Sequence, residues 1–347
     1  MIRAPAFWWR PRPGGAARLL KPAAGLIGRR AAARMAEVGA PPPLPVICVG
    51  NAVAGGAGKT PLALALGEMA ALMGRAPAFL SRGYGGRLKG PVLVTGRHDA
   101  AAVGDEALLL AAVAPTVVAR DRPAGAALAA AHGADLLIMD DGFQNPSLEK
   151  TLALLVIDGA VGVGNGLVLP AGPLRAPLGV QLARADALVV MGPGAAGDML
   201  AAIAETHGIP VHRARLAADR GAAARLNGRR VVAFAGIGRP EKFALTLVEA
   251  GATIERLVAF PDHHRLSEAA AARLIRLAGR HDLVTTAKDF ARLSGQAGPA
   301  FAALRRRATV VPVAAVFDDP RAPAALIEEA GRRHGPVAPR PQTPEIP

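Results

Sequence analysis

The segment GNAVAGGAGKTP, residues 50–61, follows the apolar run LPVICV and leads into an Ala/Leu-rich stretch. Gly55, Gly56 and Gly58 ahead of Lys59 and Thr60 are the residue types of a phosphate cradle. Backbone N–H groups and a helix N-terminus can face anionic oxygens there, the lysine adds charge on the β- and γ-phosphates, and the hydroxyl serves Mg²⁺. Pro61 suits the first turn of the helix, where its missing N–H leaves no bond unmade. The spacing departs from the usual G-x-x-x-x-G-K-[ST], which places a glycine where this chain has Val53. The expected phosphate-binding span is Val53, Ala54, Gly55, Gly56, Ala57, Gly58, Lys59 and Thr60, with ATP and Mg²⁺ as cofactors. The rival reading is a glycine-rich turn in a chain that has 40 glycines.

Three further segments carry polar residues in chemically useful settings. ADLLIMDDGFQN (134–145) is an apolar strand ending in acid, the arrangement that sets a carboxylate beside the Mg²⁺ of a phosphate-loop site. Asp140 and Asp141 point in different directions if the strand persists, so one can serve the metal and the other a neighbour. FPDHHRLS (260–267) offers His263 or His264 to orient a carboxylate or act as acid or base near neutral pH. SRGYGGR (81–87) is either a phosphate-gripping pair of arginines or a solvated turn.

Missing parts narrow the class. No N-K-x-D element for guanine occurs, and the position that partitioning-type ATPases fill with lysine is Ala54. A kinase for a small acceptor remains, and it needs a base near the γ-phosphate. VGDEA supplies Asp105 and Glu106 at a helix start.

The elements that must position these residues alternate: VICVG then PLALALGEMAALMG, TVVAR then AGAALAAAHG, then DLLIMDD, LALLVIDG and ADALVVMG. This is the pattern of βαβ units and a parallel sheet, so the fold class is α/β, a phosphate-loop NTPase-type sheet flanked by helices. A fresh strand after Asn227-Gly228 marks a second, smaller α/β unit. The expected organisation is a basic arm at 1–36, a kinase domain at 37–225, the smaller domain at 226–332 and a proline-rich, disordered tail at 333–347.

The formal net charge is +14 and aromatic residues make up 3% of the chain. Only six of the 41 basic residues are Lys, a mark of compositional bias, and base-stacking platforms need aromatics, so nucleic acid is not expected as a partner. Cys48 is the sole cysteine, which excludes an intrachain disulfide. Eight basic residues precede the first acid, Glu37, and both tryptophans, Trp8 and Trp9, lie among them. That arm fits a helix lying in a bilayer interface against anionic head groups, or else one packed on the protein body. No apolar run reaches the roughly 20 residues needed to span a membrane.

Taken in order, GNAVAGGAGKTP, SRGYGG, VGDE, DDGFQN, LPAGPLR, AFAGIGRPEKF, FPDHH and VTTAKD resemble the tetraacyldisaccharide 4'-kinases over about residues 45–290. The resemblance implies an enzyme of lipid A biosynthesis that phosphorylates an acylated disaccharide at the cytoplasmic face of the inner membrane, associated peripherally through its N-terminal helix; no protein partner is implied. It makes the offset loop a feature of the family. It also implies Asp105 as acceptor base paired with His263, Lys59 as the catalytic cation, Thr60, Asp140 and Asp141 near Mg²⁺, and Arg82, Tyr84 and Arg175 toward the substrate. Many members read DDGFQH where this chain has Asn145, so Asn145 is left out of the site.

Overall fold

In the computed structural model, residues 4–262 and 264–335 are described. His263 lies outside them, as do 336–347, most of the expected tail; the described chain stays helical to His334. Thirteen strands form two sheets among the described residues. The first contains β1 (Val46–Asn51), β2 (Pro77–Ser81), β3 (Val92–Leu93), β4 (Thr116–Val118), β5 (Leu136–Asp140), β6 (Leu152–Asp158), β7 (Ala187–Met191), β8 (Val211–Ala218) and β13 (Val313–Phe317), and the second contains β9 (Arg230–Ala235), β10 (Thr253–Ala259), β11 (Asp282–Thr286) and β12 (Ala308–Val311).

The larger sheet runs β13-β8-β7-β6-β1-β5-β2-β4-β3. From β8 to β4 neighbouring strands are parallel, and the edges β3 and β13 are antiparallel to their neighbours. Both faces of a parallel sheet are covered by its crossover helices, which is why VICVGN and LLIMD are buried at every position. Alternate residues feed two layers. Val46 and Cys48 pack with the helix Arg122–Ala131, whereas Ile47 and Val49 pack with Leu62 and Leu66 of the helix Lys59–Leu72 and with Leu326 and Ile327 of the helix Ala322–His334. β1 is central, bonded to β5 on one side and β6 on the other. At such a switch point the connections leave in opposite directions and open a crevice beyond the strands' C-terminal ends. The glycine-rich loop sits there.

The smaller sheet, β10-β9-β11-β12, is parallel throughout. Phe243 and Leu247 cover one face, Leu274 and Leu304 the other. The expected boundary at 332 is corrected. After β12 the chain re-enters the larger sheet as β13, with Val313 opposite Ala218, because Ala315 and Phe317 have their apolar neighbours there.

The arm is helical from Gly15 to Met35 and is packed on the protein body along one side. Ala17, Ala24, Gly28 and Met35 form a buried stripe against the body, where a Cβ on Gly28 would come 3.5 Å from Val168. Trp8 is likewise docked, its indole N–H donating to the Pro170 carbonyl at 2.9 Å. The opposite side presents Leu19 (82% exposed) and Leu26 (65%) among exposed Arg18, Arg29 and Arg30. No described helix is long and apolar enough to cross a membrane.

Candidate active site

The glycine-rich loop is held at its root. Gly58 has φ 93°, a left-handed conformation that glycine adopts without strain, and it begins the helix Lys59–Leu72. The Asn51 amide donates to the Gly55 carbonyl at 2.8 Å, and Gln144, from the DDGFQN segment, donates to the Asn51 carbonyl at 2.8 Å. Val53 forms an antiparallel bridge with Leu174, and Ala54 N–H donates to the Pro173 carbonyl. The position where the common pattern has glycine is therefore a short strand pairing with LPAGPLR, a conformation open to a β-branched residue.

Two acids at the end of β5 diverge. Asp140 ends the strand, 1% exposed, and its Oδ2 accepts from the Thr60 hydroxyl at 3.0 Å while its Oδ1 has no hydrogen-bond partner. Burial, reinforced by the nearby Glu106 carboxylate and opposed by Lys59, pushes the Asp140 carboxyl up to about 7. Asp141 takes φ 61°, left-handed, which turns its side chain away from Asp140's path. It lies 3.8 Å from the Lys59 ammonium and receives both Nη atoms of Arg175, at 3.0 and 3.2 Å. Burial alone would raise the Asp141 pKa, but Lys59 and Arg175 outweigh it and hold it low. Arg175 also donates from Nε to the Val53 carbonyl at 3.2 Å, so its guanidinium braces the loop and Asp141 together.

The residues fit a divalent cation. An unpartnered buried carboxylate oxygen beside a hydroxyl is a donor set lacking a positive partner, and Mg²⁺ needs only one or two protein ligands when phosphate oxygens and water complete its shell. No cluster of three or more His, Cys, Asp or Glu side chains gathers for a metal among the described residues.

Asp105 opens the short helix Asp105–Ala111, directly after Gly104 at φ 89°, where a Cβ would come 2.4 Å from the Tyr84 carbonyl. Its Oδ2 accepts from Arg292 Nε at 2.6 Å, with Arg292 Nη2 2.5 Å away in ion-pair contact, and next to it Glu106 pairs with Lys288 at 2.5 Å. Both cations belong to the helix Ala287–Ser294 of the smaller unit. Burial works against the Glu106 carboxylate, yet Lys288 outweighs it and holds its pKa low. Asp105, Arg292, Tyr84 and Arg265 line a cavity of about 160 Å³ between the units.

The units also meet over the loop. Buried Asp158, at the end of β6, pairs with Arg239 at 2.7 Å and with Lys242, and a Cβ on Gly238 would come 3.8 Å from Gly56 N. Arg82 and Tyr84 are exposed at the end of β2, whose Ser81 is in register with Asp140. His264 stacks on Phe260, ring centroids 5.3 Å apart. Asn145 accepts from Ser147 N–H at 2.9 Å, closing a turn.

Residues 16–331 match the family model for tetraacyldisaccharide-1-P 4'-kinase. The chain belongs to the tetraacyldisaccharide 4'-kinase family. It is 55% identical to the tetraacyldisaccharide 4'-kinase of Methylobacterium nodulans, with 99% of both chains covered, and 51% identical to that of Xanthobacter autotrophicus, with 96% of this chain and 98% of that one covered. A solved structure of LpxK from Aquifex aeolicus, in complex with ATP, superposes with a TM-score of 0.68 at 24% identity, covering 90% of this chain and 99% of that one, and so shares the fold. The family read from the ordered motifs is the family of the chain, and with it the class of enzyme: a phosphotransferase, an ATP-dependent kinase of lipid A biosynthesis.

Arg292, Lys288, Asp289, Arg239 and Asp158 were missed by sequence reasoning. VTTAKD and GIGRPEKF pointed to their segments, and two adjacent acids at a helix start, Asp105 and Glu106, were the signal that a pair of cations had to be found elsewhere in the chain.

Proposed function

We propose that the chain moves the γ-phosphate of ATP to the 4'-hydroxyl of a tetraacylated glucosamine disaccharide 1-phosphate in the crevice beyond β1 and β5. The observation that carries this reading is the buried pair of Thr60 and Asp140, with Asp140 Oδ1 unpartnered, at the start of the helix that Lys59 begins. Residues 53–60 hold the phosphates through backbone N–H groups, the helix N-terminus and Lys59. Thr60 and Asp140 hold Mg²⁺, which supplies charge neutralisation of the phosphoryl oxygens. Asp141, occupied by Lys59 and Arg175, sets the lysine's position instead of binding the metal.

Asp105 accepts the acceptor's proton as the hydroxyl oxygen attacks phosphorus in line, with His263, outside the described residues, as its partner by family resemblance. Tyr84 approaches the disaccharide from the lining of the cavity beside Asp105, exposed Arg82 from the same loop after β2, and Arg175 acts on the substrate side through the loop it braces. The exposed Leu19 and Leu26 face, flanked by arginines, rests on the cytoplasmic side of the inner membrane, where an acylated acceptor resides.

The deciding experiment is phosphate transfer from ATP to the lipid disaccharide with Asp105→Ala. Transfer should be lost while ATP binding, followed by equilibrium titration, persists. Near-normal turnover would remove Asp105 from the role of base.

A further inference from the structure

We infer that Arg292 is a positioning residue for phosphoryl transfer, reaching from the smaller unit to fix the Asp105 carboxylate, and that Asp289 with Thr286 fixes Arg292 in turn. The inference rests on the reading of Asp105 as the acceptor's base.

The geometry is a relay of charged side chains with little freedom. Arg292 and Asp105 are 8% and 3% exposed in their side chains. Arg292 Nε donates to Asp105 Oδ2 at 2.6 Å with Nη2 in ion-pair contact with the same oxygen, and Oδ1 takes the N–H of Glu106 at 3.0 Å. Both oxygens are thus engaged from different directions, which selects one side-chain orientation. Arg292 Nη1 donates to the Gly236 carbonyl at 2.7 Å and to Asp289 Oδ1 at 3.0 Å. Asp289 accepts from Gly236 N–H at 2.9 Å and from the Thr286 hydroxyl at 2.6 Å. The planar fork is therefore oriented by the ends of β9 and β11 before it meets Asp105.

Two features separate this from an ordinary stabilising ion pair. One guanidinium is shared by two carboxylates, Asp105 and Asp289, so Arg292 does not by itself neutralise both. The pair also lines the cavity between the units, together with Tyr84 and Arg265, so the held carboxylate faces space that an acceptor can enter. Lys288, four residues before Arg292 on the same helix face, grips Glu106 in the same way. The helix Ala287–Ser294 thereby ties the base to the docked state of the smaller unit.

Steady-state kinetics with MgATP and the tetraacyldisaccharide 1-phosphate test this with Arg292→Ala, Arg292→Lys and Asp105→Asn. Arg292→Ala should lower kcat about 100-fold, the scale of a misplaced catalytic group, with KM for ATP within about twofold. Arg292→Lys should recover about tenfold of that loss, since the ammonium keeps the charge but not the fork. Added to Asp105→Asn, Arg292→Ala should cost nothing more, because the two act as a unit. A kcat for Arg292→Ala within about twofold of the parent, or an additive loss in the double variant, overturns the inference. Near-normal turnover of Asp105→Asn is a different failure, that of the base reading itself. If Arg292→Ala shows no cooperative melt, Arg292→Lys decides: reduced kcat with unchanged melting and KM for ATP supports the role, and unchanged kcat overturns it.

Discussion

The Thr60 hydroxyl donates to Asp140 Oδ2 at 3.0 Å across 80 residues of sequence, joining the helix after β1 to the end of β5. The register Val49↔Asp140 makes this contact possible, because it brings the C-terminal ends of the two strands level. The contact of Thr60 with Asp140 is thus a product of strand pairing and not of local sequence.

Asp140→Asn keeps the size of that side chain and removes its charge. The Mg²⁺ concentration for half-maximal turnover should rise at least about tenfold, the scale at which even outer partners of metal ligands act. A Mg²⁺ titration at saturating ATP measures it, and an unshifted midpoint removes Asp140 from the ligand set.

Asp158 joins the units while 2% exposed, and Arg239 and Lys242 that meet it are 33% and 23% exposed. Asp158→Ala should cost about 1–3 kcal/mol in urea unfolding, less than a fully buried pair because both cations reach water. Unchanged stability and unchanged protease resistance of the 219–229 connection would show that this contact does not hold the units together.

Burial raises the Cys48 thiol to about 11, and the thiolate is its reactive form. The folded chain should resist iodoacetamide at pH 8 and react once unfolded. The unfolded thiol ionises near about 8.5, below the folded value. Its contribution to stability is therefore complete below about pH 8.5 and lost as pH rises toward about 11. Cys48→Ala should flatten urea-unfolding stability across that window; an unaltered slope refutes the assignment.

Leu19 and Leu26 are exposed while Ala17, Ala24 and Gly28 face the body. Leu19→Asp with Leu26→Asp should abolish co-flotation with anionic vesicles and leave the melting temperature unchanged. Retained flotation would place the membrane contact elsewhere.

Much of this was readable from the amino acids. The β-branched runs before Ala/Leu stretches specify a parallel sheet, and Lys59, Thr60 and Asp140 lie where strand ends must put them. Val53 looked anomalous because its conformation is set by Leu174, more than a hundred residues away. Arg175, read as reaching the substrate, is drawn onto Asp141 and the Val53 carbonyl by the same bridge. Arg292 was hidden for a similar reason: its partner Asp105 is 187 residues distant, and no periodicity records such a pairing. The return of β13 was equally illegible, since VAAVF would serve as an edge strand in either sheet.

That return governs how the smaller unit can move. Chain enters it after Ala218 and leaves it before Val313, two residues paired side by side, with Asp219 N–H bonded to the Pro312 carbonyl. The insert hangs from a two-stranded ribbon, which bends across its face but resists shearing in its plane. Arg239 and Arg292 both belong to the insert hung from that ribbon, so the contacts with Asp158 and Asp105 share one point of attachment to the larger sheet.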